Sequence, residues 1–298
     1  MKEEISNWFK ALQDGICAGL EDSDGKGIFR QDHWDRPGGG GGRSRIISNG
    51  GVIEKGGVNF SEVSGRVPQA LIDSMKIASG DFYATGVSIV IHPINPWVPI
   101  IHMNVRYFEM SDGTSWFGGG MDLTPHYVQA SDARFFHHTL STLCNRHNPA
   151  YYPRFKKWAD DYFFITHRKE TRGIGGIFFD HLSQGPQSSK DQIWHFVQDV
   201  GNAFLPIYTE LINRNKNQKF TDQQKEWQYL RRGRYTEFNL VLDKGTKFGL
   251  ETDGRTESIL MSLPPQARWE YNHQPDAQSL EGQTLTFLQK DINWLDNA

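Results

Sequence analysis

Cysteine is scarce in this chain, and long apolar runs are missing. Only Cys17 and Cys144 are present, too few for the disulfide framework that stabilises small secreted proteins. The amino-terminal segment lacks the apolar core of a secretory signal, and charged residues, histidine or proline interrupt every later apolar stretch. We therefore expect two free thiols, no membrane span and a cytoplasmic protein.

The chain also lacks a strong excess of either charge and the commonest catalytic signatures. Its formal net charge is −3, which gives no general field for attracting phosphate backbones, so nucleic acid is not an expected partner. It has no Walker A loop, no dinucleotide-binding glycine motif after a strand, no serine-hydrolase elbow and no HExxH motif. These absences argue against the commonest cofactor-dependent enzymes and hydrolases.

Aromatic side chains, in contrast, are abundant. The 298 residues include 19 Phe, 10 Tyr and 9 Trp, with 37% hydrophobic and 22% charged residues, which is the composition of a globular protein with a large core. One core can serve a domain of roughly 250 residues. We expect a single domain over residues 1–298.

Alternation of apolar and polar residues predicts strands in the middle of the chain. The predicted strands are residues 86–92, 99–108 and 115–123. Asp112-Gly113 is a hairpin signal between the last two.

Helical periodicity predicts an amino-terminal helix and three later ones. The later helices are predicted at about 130–144, 152–169 and 190–212, and further strands at 234–242, 247–251 and 258–263. Hairpins dominate the strand connections, so we predict an α+β fold with a large, mainly antiparallel β-sheet flanked by α-helices on both faces.

Residues 34–59 have a different composition, because five glycines at 38–42 lie among Arg36, Arg43 and Arg45. Glycine clusters are typical of loops, so a loop is predicted here, and we favour a flexible surface connection. The alternative is a backbone that approaches a ligand closely while the arginines bind its carboxylates.

One predicted strand places three functional groups in a row. Alternate residues of a strand share a face, so His102, Asn104 and Arg106 point the same way. Burying such groups is costly unless a polar ligand lies between them. The ordinary alternative is a half-buried strand with one wet face, but we favour a functional site. Ser88 and His92 likewise share a face of the preceding strand.

Asp122 is the next candidate, because the glycines at 118–120 leave room for a flat ligand beside it. With a two-residue turn at Asp112-Gly113, cross-strand counting puts Asp122 on the face of the sheet opposite to that of His102 and Arg106. An odd-length loop, or a bulge at the glycines, would shift the register by one and bring Asp122 to the functional face, opposite Asn104. We predict the bulge; the alternative is that Asp122 only ends the strand as a turn residue.

Other histidines carry weaker signals. His33-Trp-Asp35 has the HxD form that non-haem iron oxygenases use with a distant third histidine. It lies beside the glycine run, so we interpret it as a chance match. His137, His138 and His167 lie on predicted helices, where a surface or core-edge role is the default and metal ligation is the alternative.

Sequence segments spread over nearly the whole chain are shared with one known family. They are residues 34–36 with 38–45, 57–61 (GVNFS), 102–108 (HMNVRYF), 116–125 (WFGGGMDLTP), 156–158, 167–168, 172–180 (RGIGGIFFD), 231–235 (RRGRY), 237–240 (EFNL), 245–250 (GTKFGL) and 254–262 (GRTESILMS). As a set they are highly specific, and by them the chain resembles the oxygen-dependent coproporphyrinogen-III oxidases.

The resemblance implies an oxidoreductase of haem and porphyrin biosynthesis. Two propionate side chains of coproporphyrinogen III would become vinyl groups with loss of carbon dioxide, giving protoporphyrinogen IX. Molecular oxygen is the implied electron acceptor and a homodimer the implied assembly. No organic cofactor is expected, because a porphyrinogen is a reduced, electron-rich macrocycle that can itself supply electrons to oxygen.

The same resemblance assigns roles to individual residues. His102 matches the proposed proton donor, and Asp122 matches the carboxylate proposed to engage the pyrrole N–H groups, with Arg106 as the third catalytic residue. Expected substrate contacts are Ser88, Asn104, Val105, Arg106, Arg172, Gly254 and Arg255. Positions described as metal ligands in some members correspond to His92, His102, His137 and His167, so a divalent metal such as manganese is a further expectation that the sequence leaves open.

Two positions depart from the family pattern. Asp253 stands where the family usually has glycine or another small residue, which puts one backbone contact to the substrate in doubt, and His181 stands where a second aspartate is usual. Two other functions stay open. One is a metal-dependent oxygenase whose histidines bind iron or manganese, and the other is a tetrapyrrole carrier that binds through its arginines and catalyses nothing.

Overall fold

The computed structural model describes residues 1–67, 72, 79–186, 188–251 and 254–296. Within these ranges, seven strands form one antiparallel sheet in the order β1-β2-β3-β4-β5-β6-β9. The strands are β1 (Arg30–Asp35), β2 (Gly40–Ser48), β3 (Ile53–Arg66), β4 (Asp81–Pro93), β5 (Ile100–Met110), β6 (Ser115–Thr124) and β9 (Gly176–Leu182). A separate short hairpin consists of β7 (Phe164–Ile165) and β8 (Glu170–Thr171).

Helices lie before, between and after the strands. They are α1 (Lys2–Asp24), α2 (Ala130–His147), α3 (Tyr151–Tyr162), α4 (Lys190–Asn215), α5 (Asp222–Glu237), a π-helical turn (Phe238–Leu242), α6 (Lys244–Glu251), α7 (Thr256–Leu260) and α8 (Leu280–Thr286). No helix in the described ranges is both long and apolar enough to cross a bilayer.

One face of the sheet is apolar and is covered by helices. Its side chains, among them Val58, Ile89 and Met103, are fully buried and belong to the main core. Helix α1 packs on β3 and β4, α4 on β5 and β6, and α3 on β9. Because burying one large aliphatic side chain stabilises by about 1.5–3 kcal/mol, this layer is the main source of stability.

The opposite face is polar in its middle and is covered only at its margins. Tyr235 of α5 packs on Val90 and Ile100, and Met261, which follows α7, lies against Gly57. Helices therefore flank both faces, and the predicted α+β fold is confirmed.

The loop predicted over residues 34–59 is wrong for most of its length, since the end of β1, all of β2 and the first half of β3 lie there, and only residues 36–39 and 49–52 form turns. Gly42 pairs with Trp34 in the β1–β2 ladder, and the Trp34 indole fills the space that a Cβ on Gly42 would occupy. The glycines thus make room for an aromatic ring on a strand, and the glycine-rich composition concealed the pairing.

The strands predicted at 234–242, 247–251 and 258–263 are also wrong, because these segments are helical. Tyr235, Phe238 and Asn239 are buried at positions i, i+3 and i+4, which is a helical spacing. A capping box at Thr221 and Gln224 starts α5, and the helix simply continues into the π-helical turn.

Both cysteines are free, as predicted, and buried. Burial raises the pKa of Cys17 and of Cys144 to about 12. The thiolate is the reactive form, so neither thiol is expected to act as a nucleophile.

Asp24, at the end of α1, ties that helix to the turn between β2 and β3. Its carboxylate accepts backbone N–H bonds from Gly27 (2.6 Å), Gly51 (2.8 Å), Val52 (2.8 Å) and Ile53 (2.6 Å). Burial opposes the charge, but these donors outweigh it and lower the pKa of Asp24.

We predict that Asp24→Ala lowers the free energy of unfolding by about 3 kcal/mol, because it leaves several buried N–H groups without an acceptor. The folded-state pKa lies below the unfolded value of about 3.9, so this stabilisation is complete above that value and is lost as the pH falls through the folded-state pKa. Denaturant titration at pH 7 and at pH 3 measures both effects. Asp22→Ala, on the exposed side of the same helix turn, is the matched control, and equal losses in the two variants would contradict the prediction.

Candidate functional site

The loop between β5 and β6 sets which residues share the polar face. Met110 N–H donates to Thr114 O (2.8 Å) and Gly113 has a φ of 88°, which gives a three-residue loop with glycine in the left-handed region. Its odd length pairs Asp122 directly with His102. Asp122 therefore lies on the same face as His102, as predicted, but the predicted bulge between β5 and β6 is wrong, and the partner is His102 and not Asn104.

His102, Asp122 and Arg172 form a connected unit. Asp122 Oδ1 accepts a hydrogen bond from His102 Nδ1 (2.7 Å), and its Oδ2 accepts one from Arg172 Nη2 (2.7 Å). The side chains of Asp122 and Arg172 are only 2% and 3% exposed, whereas that of His102 is 23% exposed. The carboxylate is thus inside the protein, and the imidazole reaches the surface of the polar face.

Asp122 stays ionised despite its burial. Desolvation alone would raise the pKa of Asp122, but the Arg172 guanidinium and the hydrogen bond from His102 outweigh it and hold that pKa below its ordinary value. Since the carboxylate only accepts, His102 Nδ1 carries the proton. Nε2, for which no partner occurs among the described residues, is left to exchange a proton on the polar face.

Arg172 is surrounded by aromatic rings. Its guanidinium carbon lies 4.3 Å from the ring centroid of Phe163 and 4.7 Å from those of Tyr235 and Phe238. A second directional contact comes from Asn239, whose Oδ1 accepts from Arg172 Nη1 at 2.9 Å. Burial opposes the charge of Arg172, yet the pairing with Asp122 raises its pKa, so the buried pair remains ionic.

Sequence reasoning missed these surroundings of Arg172. Phe163 lies in a segment predicted as a helix, and Tyr235, Phe238 and Asn239 lie in one predicted as a strand. Nothing in the local pattern of the last three shows that they meet a residue more than sixty positions away. The signals were the RRGRY and EFNL segments among the family-like motifs.

Arg106 is half-exposed and already has partners. It donates to Asn104 Oδ1 (2.8 Å) and pairs with Asp180 Oδ2 (2.9 Å). A Cβ on Gly118 would clash with both Arg106 and Asp180. The room that Gly118 provides is therefore filled by this ion pair, which corrects the expectation that the glycines leave space for a flat ligand.

His181 follows Asp180 and turns outward. It has a φ of 50°, stacks on Trp116 with ring centroids 4.8 Å apart, and lies 3.7 Å from Asp180. This departure from the family pattern leaves one carboxylate, that of Asp180, beside Arg106.

A row of polar residues crosses the sheet beside this unit. Cross-strand pairing places Asn104, Ser88, Asn59, Ser44 and Asp32 on successive strands. The row covers four strand spacings of about 4.8 Å, or roughly 19 Å. At its far end Arg255, which precedes α7, pairs with Asp32.

Two predicted substrate contacts, Val105 and Gly254, do not place a side chain on the polar row. The Val105 side chain is buried in the core on the opposite face, so only its backbone is near the polar row. Gly254 donates its N–H to Gly249 O (2.8 Å) and lies next to Arg255. Asp253 lies outside the described residues.

The four histidines matched to metal ligands do not form one site. In the described part of the chain, no three His, Cys, Asp or Glu residues are placed to hold a metal ion. His137 bonds Ile174 O through Nε2 (2.9 Å) and Tyr152 Oη through Nδ1 (3.0 Å), so neither ring nitrogen is available. Burial lowers the pKa of His137 to about 3, and the ring stays neutral.

The remaining two of these histidines have separate surroundings. His92 is fully buried and bonds Ser262 O through Nε2 (2.8 Å), and burial lowers its pKa well below the usual value. His167 bonds Glu237 (3.0 Å), which Arg168 also contacts. The residues present therefore do not fit the expected shared metal site. His33, of the HxD tripeptide, is exposed on the edge strand β1, where it contacts Gln31.

Comparison with known proteins identifies the family of the chain. The sequence model of the family described as "Coproporphyrinogen III oxidase" matches residues 4–294. A protein from Drosophila melanogaster named oxygen-dependent coproporphyrinogen-III oxidase is 47% identical over 309 residues, covering 99% of this chain and 78% of the relative. Relatives of the same name from two strains of Prochlorococcus marinus are each 45% identical, covering 98% and 99% of this chain and 92% and 93% of their own length. The chain belongs to the coproporphyrinogen III oxidase family.

Proposed function

We propose that this protein oxidatively decarboxylates two propionate side chains of coproporphyrinogen III to vinyl groups, with oxygen as the electron acceptor, giving protoporphyrinogen IX. One observation carries the proposal beyond the family membership. His102, held by a buried ionised carboxylate, presents on the polar face of the sheet a ring nitrogen, Nε2, that has no partner among the described residues. That geometry suits a group that moves protons during turnover.

The chemistry balances without a resident redox group. Each propionate carboxylate loses carbon dioxide, one proton from the carbon next to the pyrrole ring and a pair of electrons, and the double bond forms between the two remaining side-chain carbons. Oxygen accepts the electron pair together with that proton and one proton from solvent, and is reduced to hydrogen peroxide. The electron-rich macrocycle can release these electrons itself, so no flavin, haem or nicotinamide is required.

His102 is the proposed catalytic residue, and Asp122 acts through it. Both carboxylate oxygens of Asp122 are occupied, by His102 and by Arg172, and its side chain is buried. Direct contact with the pyrrole N–H groups, as the resemblance implied, would require the buried carboxylate to become accessible to the substrate. We therefore assign Asp122 the role of orienting His102 and stabilising its protonated form.

Arg106 and Arg255 are the proposed propionate-binding residues. Each is part-exposed and paired with an acidic residue, Asp180 and Asp32 respectively. Exposed pairs contribute only about 0–1 kcal/mol, so a substrate carboxylate can replace the protein carboxylate at little cost. Ser88 and Asn104 belong to the polar row between these two arginines, and the Gly254 backbone lies beside Arg255.

We predict that His102→Ala and Asp122→Asn each lower kcat by roughly 100-fold or more, because the first removes the proton-moving group and the second its charged support. His102→Ala should lower the melting temperature less than Asp122→Asn does, since it removes one hydrogen bond to the buried carboxylate but leaves the ion pair with Arg172 intact. Asp122→Asn leaves Arg172 buried without a counter-charge and should cost about 3–5 kcal/mol of stability. Turnover of coproporphyrinogen III and thermal unfolding are the two measurements.

Two further variants separate chemistry from folding. Asp122→Asn combined with Arg172→Met removes both buried charges, and should regain stability without regaining turnover. His33→Ala removes an exposed histidine of the same sheet and should leave kcat within about twofold of the parent. Near-normal turnover in His102→Ala would remove His102 from the mechanism.

Oxygen and metal dependence can be tested in one product analysis. We predict vinyl products in air, with or without prior exhaustive chelation, and unchanged propionates in the absence of oxygen. The reason is that the substrate supplies the electrons and that the expected histidine ligands are separately engaged. Loss of product after chelation, restored by one metal, would favour the metal-dependent oxygenase. Unchanged propionates in every arm would favour a tetrapyrrole carrier.

We also propose a homodimer that works in the cytoplasm. The assembly is supported by exposed apolar side chains on the π-helical turn and α6, namely Leu240, Val241 and Leu250, which are 42–48% exposed. The compartment is an expectation from the two reduced thiols.

We predict a dimer by light scattering and a shift towards monomer in Leu240→Arg, because a buried unpaired charge at an interface is costly. Phe220→Arg, at another exposed apolar position, is the matched control and should stay dimeric. A monomeric parent protein would contradict the assembly.

A further inference from the structure

A π-helical turn directly follows α5, at the edge of the site. Phe238–Leu242 is the π-helical segment, and it places Asn239 inside the protein, 4% exposed. Such turns are rare and occur often at functional sites. The proposed function so far gives Asn239 no role.

We propose that Asn239 is a positioning residue for the reaction, holding Arg172 in the orientation that keeps Asp122 bonded to His102. The inference rests on the proposed function, since it acts on the same unit. Its basis is a continuous chain of hydrogen bonds: Asn239 Oδ1 to Arg172 Nη1 at 2.9 Å, Arg172 Nη2 to Asp122 at 2.7 Å, and Asp122 to His102 at 2.7 Å.

The orientation of the Arg172 guanidinium depends on Asn239, because its contacts with the aromatic rings do not fix that orientation. The rings of Phe163, Tyr235 and Phe238 attract the cation through their faces, but a ring face does not fix how the guanidinium is rotated within its own plane. Arg172 Nε has no hydrogen-bond partner among the described residues. Within the described part of the chain, Asp122 and Asn239 are the two acceptors that define that rotation.

The second end of the Asn239 amide points to the segment around α7, which contacts the polar row at Ser44. Nδ2 lies 3.5 Å from Ser262 Oγ, a long contact. Ser262 follows α7, which begins beside Arg255. Asn239 thus lies between the buried ion pair and the segment that carries two proposed substrate contacts.

The test is a double-mutant cycle on the full-length protein. Asn239→Ala should lower kcat about tenfold or more with KM changed less than about threefold, because Arg172 loses its second anchor. In an Arg172→Lys background the same substitution should change kcat less than about threefold, since a lysine ammonium cannot bond Asp122 and Asn239 as two fixed nitrogens. Thermal unfolding confirms that each variant is folded. Asn239→Leu, which fills a similar volume without an acceptor, repeats the comparison if the alanine variant does not fold.

Asn95→Ala is the matched control for removing a buried asparagine. Asn95 donates to the carbonyls of Asn215, Lys216 and Gln218, so its loss should lower the melting temperature and leave kcat within about twofold. Equal losses of kcat from Asn239→Ala in both backgrounds, or unchanged kcat in the parent background, would overturn the inference. If the parent protein forms no vinyl products, the proposed function fails. If His102→Ala keeps normal turnover, the role of His102 and this inference fall together; if only Asn239→Ala does, the function and His102 stand and this inference alone falls.

Discussion

The ion pair between Asp122 and Arg172 is the constraint on which the site depends. Both groups are almost completely buried, and removing each ion from water costs several kcal/mol. That cost is offset only while the pair is intact and its remaining hydrogen bonds, from His102 and to Asn239, are made. The pair therefore ties strand β6, the segment before β9 and the π-helical turn into one fixed arrangement.

This constraint explains why the two faces of the sheet differ. On one face the central side chains are apolar, and helices α1, α3 and α4 cover them. On the opposite face, aromatic side chains of α5 and the π-helical turn surround the buried ion pair. These two elements cover only one margin of that face. The centre of that face is left part-exposed, with His102 at the boundary between the buried charges and the polar row.

Period-two patterning was enough to predict the central strands and to place His102, Asn104 and Arg106 on one face. The same pattern could not predict which face of the sheet Asp122 lies on. The register of β6 on β5 depends on the length of the loop between them, which differs by one residue between turn types. The glycine run was misassigned since glycine signals loops unless a neighbouring ring, here that of Trp34, fills the vacant space. Residues 234–242 were misassigned because short apolar runs fit either period. The contact of Arg172 with Asp122 joins residues fifty positions apart, and no local pattern encodes it.

The arginines of the site fall into two groups with different physical roles. Arg172 is buried, and separating it from Asp122 would leave an unpaired charge in a low-dielectric environment. Arg172 therefore keeps a positive charge at a fixed position beside Asp122. Arg106 and Arg255 are part-exposed, and water can solvate Asp180 and Asp32 if a ligand displaces them. Replacing one carboxylate partner by another therefore costs little free energy at Arg106 and Arg255, where the proposed substrate would bind. The same replacement costs much more at Arg172, beside the proton-moving group. A site built this way can admit and release an anionic substrate without disturbing the group that acts on it.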